Sequence, residues 1–294
     1  MDRRWIWGWI DTSLLVLLIG VLTYVAWRTQ AVLQYHWDWS QVWPYVLRFD
    51  VESASWVPNL IVEGLLTTLR LALWGILVAS GVGLCMALAR TSNNLFLRMI
   101  ATAYVLLIRN IPPVVFVFVF VYFIASQVMP FLHFGDSIAT LPTQVQTVIS
   151  VLFAPAQAFD NFFLGLFCLS VFSGAYVTEI FRAGLQSIPK SQIEAGESLG
   201  FSRWDNLRYV VIPQALHNVL PPLAGQFIQL IKDSSLVSLV SIQELAFMAQ
   251  DVQVSTQKVF EVFVLTAVIY FVLCFCLSQL FAFLERHGKR GQKA

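Results

Sequence analysis

The sequence predicts an all-α, polytopic membrane protein with six transmembrane helices, and three observations predict it. Of 294 residues, 58% are hydrophobic and only 12% charged, with a mean hydropathy of +0.72, whereas soluble domains are about one-quarter charged. Six apolar stretches, 10–27, 60–89, 98–126, 161–187, 210–232 and 259–284, approach or exceed the roughly 20 residues that a bilayer crossing needs. Lys and Arg gather on alternate sides of these stretches, as the positive-inside rule requires of a multi-pass chain. The formal net charge of +1 gives no electrostatic reason to expect a nucleic-acid partner.

Taken in order, the first stretch follows Arg3 and Arg4 and resembles a signal peptide, but no small-x-small cleavage site follows it, so it reads as a retained span. The next residues, QYHWDWSQVWPYVLRFD, are rich in tryptophan and suit a membrane–water interface. The second span opens with Glu63, Thr67 and Arg70 on one helical face. Glu63 and Arg70 lie about 10 Å apart along the axis, too far for a direct pair. In the third span Arg109 directly precedes Asn110-Ile111-Pro112-Pro113, where missing backbone donors should break the helix. Residues 127–160, interrupted by Pro130, Pro142 and Pro155, read as a long loop with room for one short surface helix. The fourth span carries Glu179 and Arg182 at three-residue spacing, close enough to pair. The fifth ends at Lys232 and Asp233, which as neighbours do not face each other on a helix. Residues 233–257 read as a second loop before the last span. Cys85, Cys168, Cys274 and Cys276 all lie in apolar runs, where a thiol behaves as a small hydrophobe. No His or Cys spacing suggests a metal site.

Six crossings put both termini on one side. Arg3, Arg4, Arg90, Arg98, Lys190, Arg203, Arg208, Arg286, Lys289, Arg290 and Lys293 fall there, against Arg28, Arg48 and Lys258 on the other. Both termini are therefore expected in the cytoplasm. By pattern the chain divides into 1–58, an extra N-terminal span with a Trp-rich external segment, 59–285, a membrane domain, and 286–294, a basic cytoplasmic tail.

The most polar stretch of the second half, IPKSQIEAGESLGFSRWDNLRYVVIP at 188–213, faces the cytoplasm on this topology. Ser191 and Glu194 have capping-box spacing and predict a helix start. Gly200 sits where a left-handed cap would end that helix after about two turns. Ser202 and Asp205 repeat the start signal, and Pro213 predicts a kink in the helix that follows. A helix this short is marginal alone and calls for a packing partner.

These residues resemble the permease subunits of bacterial binding-protein-dependent ABC importers. Their cytoplasmic signature reads Glu-Ala-Ala, three residues, Gly, nine residues, an aliphatic, one residue, an aliphatic and Pro. Here Glu194, Ala195, Gly196, Gly200, Val210, Ile212 and Pro213 match it, with Gly196 in place of the second alanine and Val210 in place of the usual isoleucine. Residues 103–123, 174–189 and 227–245 are similar to further stretches of the polar amino-acid uptake branch, with Asn110 and Ile111 replacing a Gly-Thr pair. The likeness covers about 60 to 285, and the first span lies outside a five-span core.

The resemblance implies a helix at 191–200 that couples to an ATPase, and with it a set of partners. These are an ABC ATPase dimer, a second permease subunit of the same or a related chain, a periplasmic amino-acid-binding protein and the lipid of the bacterial inner membrane. It also implies no cofactor on this chain, with ATP and Mg held by the ATPase. Gly184 to Ser191 comes near a phosphate-binding loop, but proline replaces its second glycine and removes a backbone donor. Intramembrane charge is costly and marks either helix-holding pairs or a translocation path. Glu63, Arg70, Arg109, Glu179, Arg182, Lys232 and Asp233 are the candidates, the self-satisfying pair being the simpler reading for Glu179 and Arg182. A secondary transporter would be expected to show internal repeats. The halves show none, and no nucleophile–base constellation marks an intramembrane enzyme.

Overall fold

A computed structural model describes residues 8–33, 35–51, 54–128 and 134–290. Helix α1 (Trp9–Leu33) is apolar on every side, and none of its apolar window is buried. Behind it, Asp38 caps a short 3-10 turn by accepting from Ser40 N at 3.1 Å. Strands β1 (Leu47–Asp50) and β2 (Ser55–Pro58) then form a two-stranded antiparallel hairpin with Phe49 opposite Trp56.

Helix α2 (Leu60–Thr91) starts at Asn59, whose side chain accepts from Leu60 N at 2.9 Å. Its buried face carries Gly64, Thr68, Ala72, Gly75, Ala79, Gly83 and Ala87, a stripe of small residues that lets neighbouring helices approach closely. Helices α3 (Leu95–Asn110) and α4 (Pro113–Val119) follow. A π-helical stretch, Phe120–Ala125, runs from α4 into α5 (Ser126–Val128). The chain bends by 115° between Asn110 and Pro113, where the two prolines predicted a break.

Residues expected to be one loop with a single short helix hold two helices, α6 (Phe134–Ala139) and α7 (Thr143–Leu152). Both are shorter than a crossing, and each begins beside a chain-breaking signal that makes a sequence read as loop. Helix α8 (Ala156–Gln186) is the central element. Phe162, Leu166, Leu169 and Phe172 on it build the main core with Phe116, Phe120 and Ile242.

Helices α9 (Lys190–Ser198) and α10 (Arg203–Asp205) precede a second π-helical stretch, Asn206–Val211, which leads into α11 (Ile212–Asp233). Pro213 stands in the first turn of α11, so the irregularity precedes the proline and is a change of helical winding rather than a kink at it. The stretch expected as a second loop is folded and largely buried: a 3-10 run, Ser234–Val240, then α12 (Leu245–Thr256), with Val237, Ile242, Leu245, Ala249 and Val252 fully or nearly fully enclosed. Helix α13 (Val259–Arg290) closes the fold and carries the start of the basic tail as helix; Lys293 lies outside the described residues.

Among the described residues four stretches are long and apolar enough to cross a bilayer: Trp9–Val32, Leu60–Thr91, Thr143–Gln186 and Val259–His287. The bent pair Leu95–Asn110 and Pro113–Val128 makes a fifth if counted as one span. Helix α11 occupies the place of another expected crossing but does not pass that test, because Gln214, His217, Asn218, Gln226 and Gln229 dilute it. Near its C-terminal end Leu230 and Ile231 pack with Ala72, Phe227 and Leu277, while Leu216 and Leu220 are exposed.

Candidate functional site

The polar segment after α8 is a compact unit. The expected capping box at Ser191 and Glu194 is absent: the cap lies two residues earlier, at Pro189, with no side-chain cap. Pro189 enters the helix from an extended conformation, φ −59 and ψ 139, and the Glu194 side chain faces solvent. The C-terminal end is as the sequence indicates. Gly200 has φ +85, Gly200 N donates to Glu197 O at 2.9 Å and Phe201 N to Gly196 O at 3.0 Å, the two bonds of a Schellman cap. The second capping box is present, Asp205 N donating to Ser202 Oγ at 3.2 Å and Ser202 N to Asp205 Oδ2 at 3.1 Å.

Asn206 fastens α9 to the next turn. It is 3% exposed, and its Nδ2 donates to Ile193 O at 3.0 Å. A Cβ on Gly196 would lie 2.0 Å from Asn206 Oδ1, so the glycine that replaces alanine is required by its neighbour. Around this pin Leu199 is 78% exposed, Trp204 65% and Tyr209 61%, an uncovered apolar rim on a polar segment. Glu194, Ala195, Ile212 and Pro213 are exposed beside it, while Val210 is half-buried. Sequence reasoning missed Asn206, Leu199 and Trp204; the signal available was large apolar residues within an otherwise charged stretch.

A second cluster lies where α2, α3 and α8 meet. Glu179 Oε2 accepts from Arg182, with Nε at 2.8 Å and Nη2 at 2.7 Å, so the predicted pair forms. Glu179 Oε1 also pairs with Arg90, and Arg109 stands at 4.0 Å from the same oxygen with its guanidinium over the Tyr176 ring at 5.5 Å. One carboxylate thus holds three guanidiniums, and Arg109 ties the cluster to the break at Asn110–Pro113. The sequence marks Arg90 only as an orienting charge, because its partner is 89 residues away.

The other intramembrane candidates separate. Glu63 and Arg70 do not pair; with Thr67 they line a cavity of about 330 Å³ between α2, α7, α8 and the turn before α12. Asp233 accepts from Gln229 Nε2 at 2.8 Å and not from Lys232. A fully buried carboxylate not singled out from the sequence, Glu244, caps α12 by accepting from Phe247 N at 2.9 Å, and it also accepts from Tyr270 Oη at 2.8 Å and Thr68 Oγ1 at 3.3 Å. Three donors explain how it is tolerated there.

Against known proteins, residues 75–290 match the family described as binding-protein-dependent transport system inner membrane component. The glutamine transport system permease protein GlnP of Escherichia coli K12 is 31% identical over 86% of this chain and 98% of its own length. The probable glutamine ABC transporter permease protein GlnM of Bacillus subtilis is 31% identical over 79% and 95%. The inner membrane amino-acid ABC transporter permease protein YhdY of E. coli K12 is 28% identical over 99% of this chain, N-terminal residues included, and 74% of its own. Among solved structures, an amino acid ABC transporter crystallised with histidines superposes with a TM-score of 0.63 at 30% identity, covering 78% of this chain and 94% of that one.

Proposed function

The chain belongs to the family of binding-protein-dependent transport system inner membrane components, and from that premise we propose that it is the permease subunit of an ATP-driven importer carrying a polar amino acid across the bacterial inner membrane. The observation that carries the coupling role is the α9 unit: a two-turn helix pinned by Asn206 and Gly200, with Glu194 and Ala195 presented outward and the Leu199, Trp204 and Tyr209 rim uncovered. Such a short helix is stable because tertiary contacts hold it, and its apolar rim fits a groove on a partner.

In this reading α9 docks in the ATPase subunit, which binds ATP and Mg, and Val210, Ile212 and Pro213 pass its movement into α11. Glu194 supplies charge at the contact. Helix α11 serves as the sixth crossing, and both termini lie in the cytoplasm on the Lys/Arg distribution. A second permease subunit completes the pathway, and a periplasmic binding protein delivers the substrate. The names of the glutamine permeases GlnP and GlnM support an amino acid with a polar side chain.

The test is Glu194→Lys. Reversing an exposed charge leaves the helix intact, so the expected outcome is normal membrane insertion with loss of ATP-driven amino-acid uptake and weakened co-purification of the ATPase. Near-normal uptake in this variant counts against the coupling role.

A further inference from the structure

Helix α3 lies across its neighbours instead of running beside them through the membrane. It holds 16 residues, about 24 Å of axis and most of the roughly 30 Å hydrocarbon thickness. Were it upright, Arg109 in its last turn would stand nearly that far from the end of α2. Arg109 and Arg90, from that end, instead share the Glu179 carboxylate. The direction of the next segment agrees. The Phe116 and Phe172 rings lie 5.3 Å apart and those of Phe120 and Phe167 6.0 Å, so α4 runs antiparallel to α8, away from the cluster. The 115° bend between α3 and that segment then sets α3 closer to perpendicular than to parallel with α8. Pro112 and Pro113 leave backbone carbonyls without donors, which is tolerated near water and costly in hydrocarbon.

The α3 sequence, LFLRMIATAYVLLIRN, divides into three faces. Ala101, Val105 and Ile108 are buried. Leu95, Phe96, Met99, Leu106 and Leu107 are each more than half exposed. Arg98 and Arg109, three turns apart, form an exposed row along one edge between those two faces. The helix carries no acidic residue, and its arginines and those of the cluster beside it number four against the Glu179 carboxylate.

We propose that α3 is an in-plane helix of the cytoplasmic leaflet. Its apolar face enters the acyl chains, its arginine row binds the headgroups of anionic phospholipids, and Pro113–Val128 is left to make the crossing. A basic edge beside an exposed apolar face is how helices settle in an interface, with the apolar side among the chains and the cations toward negative headgroups. The surplus of guanidiniums selects an anionic headgroup over a zwitterionic one. A second copy of this chain paired through α3 would bring the same arginines together, like charge against like, because a two-fold contact uses the same patch twice. Since α3 leads straight into the break at Asn110–Pro113, the lipid contact fixes the level from which α4 starts.

The experiment uses the full chain, its native cysteines replaced by serine, in nanodiscs of phosphatidylethanolamine and phosphatidylglycerol. One cysteine is introduced by Leu95→Cys or Leu106→Cys, positions on one row of α3 about 16 Å apart along the axis. Nitroxides there are read for depth by collision with oxygen and with a water-soluble nickel chelate. An in-plane helix gives two shallow depths that differ by less than half that length, and a difference near the full length overturns the proposal. A fluorophore at Leu95→Cys is then exposed to lipids with a nitroxide in the headgroup region. Labelled phosphatidylglycerol should quench it at least twofold more than labelled phosphatidylcholine at equal mole fraction. Arg98→Gln should abolish that preference and Arg98→Lys should keep most of it. Equal quenching by both lipids, or a preference unchanged in Arg98→Gln, overturns the headgroup contact. Inorganic phosphate, compared with chloride at equal ionic strength, should leave the preference intact; its loss would mean that the row takes a free anion, and the lipid proposal falls. Self-quenching between labels on two copies, with neither lipid effective, would assign the face to a second copy and overturn it as well.

Discussion

Gly196 and Asn206 form a matched pair, since a methyl group at 196 would collide with the Asn206 carboxamide. Gly196→Ala should therefore destabilise the α9 unit by about 1–3 kcal/mol, the usual range for overpacking. Asn206→Ser vacates the same space but also removes the bond to Ile193 O, so the double variant should lose less than the sum of the two single variants. Thermal unfolding of the purified proteins checks this, and additive losses would refute the pairing. At the Glu179 cluster the arithmetic is electrostatic. Glu179→Gln leaves three guanidiniums without a counter-charge. Its side chain is 21% exposed and Arg109 is 44% exposed. The expected cost is therefore roughly 2 kcal/mol, below the about 3–5 kcal/mol of a fully buried pair broken on one side. Glu179→Asp, shorter but charged, should lose less, and detergent-extracted melting temperatures rank the two.

The Trp-rich segment between α1 and α2 looks from its composition like an interfacial belt, but it is bonded to the far end of the chain. Tyr35 Oη and Asp38 N both donate to Glu261 at the start of α13, the latter at 2.7 Å, and Lys258 Nζ donates to His36 O at 3.2 Å. The Tyr35 ring meets Phe260 edge-on at 4.8 Å. Burial, then the hydrogen bond and the charge of Glu261, push the Tyr35 phenol up to about 12 from its ordinary value. The sign follows from which form the fold prefers. The neutral phenol is the donor, so its contribution is fully present below the unfolded value of about 10. It is lost as pH rises through about 12. Tyrosinate absorbance should show a late-titrating component that moves part of the way toward the ordinary range when Glu261 is replaced by Gln, the burial that contributes most remaining. Tyr35→Phe should keep the ring contact and remove that component.

At the scale of the molecule, the N-terminal region divides between lipid and protein. Helix α1 buries none of its apolar window, whereas Val42 is fully buried with Ile61, Leu245, Val252 and Val262. Removing residues 1–33 should leave stability and uptake near the full-length values once the truncated chain is inserted. Removing residues 1–46 should cost on the order of 2 kcal/mol or more, because it opens a cavity in that cluster. Expression in membranes followed by thermal melting and uptake separates the two truncations. Equal effects would mean that α1 is held by contacts outside the chain.

The sequence by itself determined the membrane class, four of the six expected crossings, the break after Arg109, the Gly200 cap, the second capping box and the Glu179–Arg182 pair. Each is written in composition or in residues within a few positions of one another. It also carried the spaced signature from Glu194 to Pro213, whose separations are fixed along the chain. Only the tertiary structure decided that residues 233–257 are buried helix and that Asn206 dictates glycine at 196. It alone decided that Arg90 joins Glu179, and that Glu63 and Arg70 share a cavity with Asn161 and Gln243. These contacts join residues 10 to 180 positions apart, and local periodicity carries no information about which distant side chain will fill a given space. The capping box expected at Ser191 does not form because two start signals lie side by side, and the helix takes Pro189 as its N-cap.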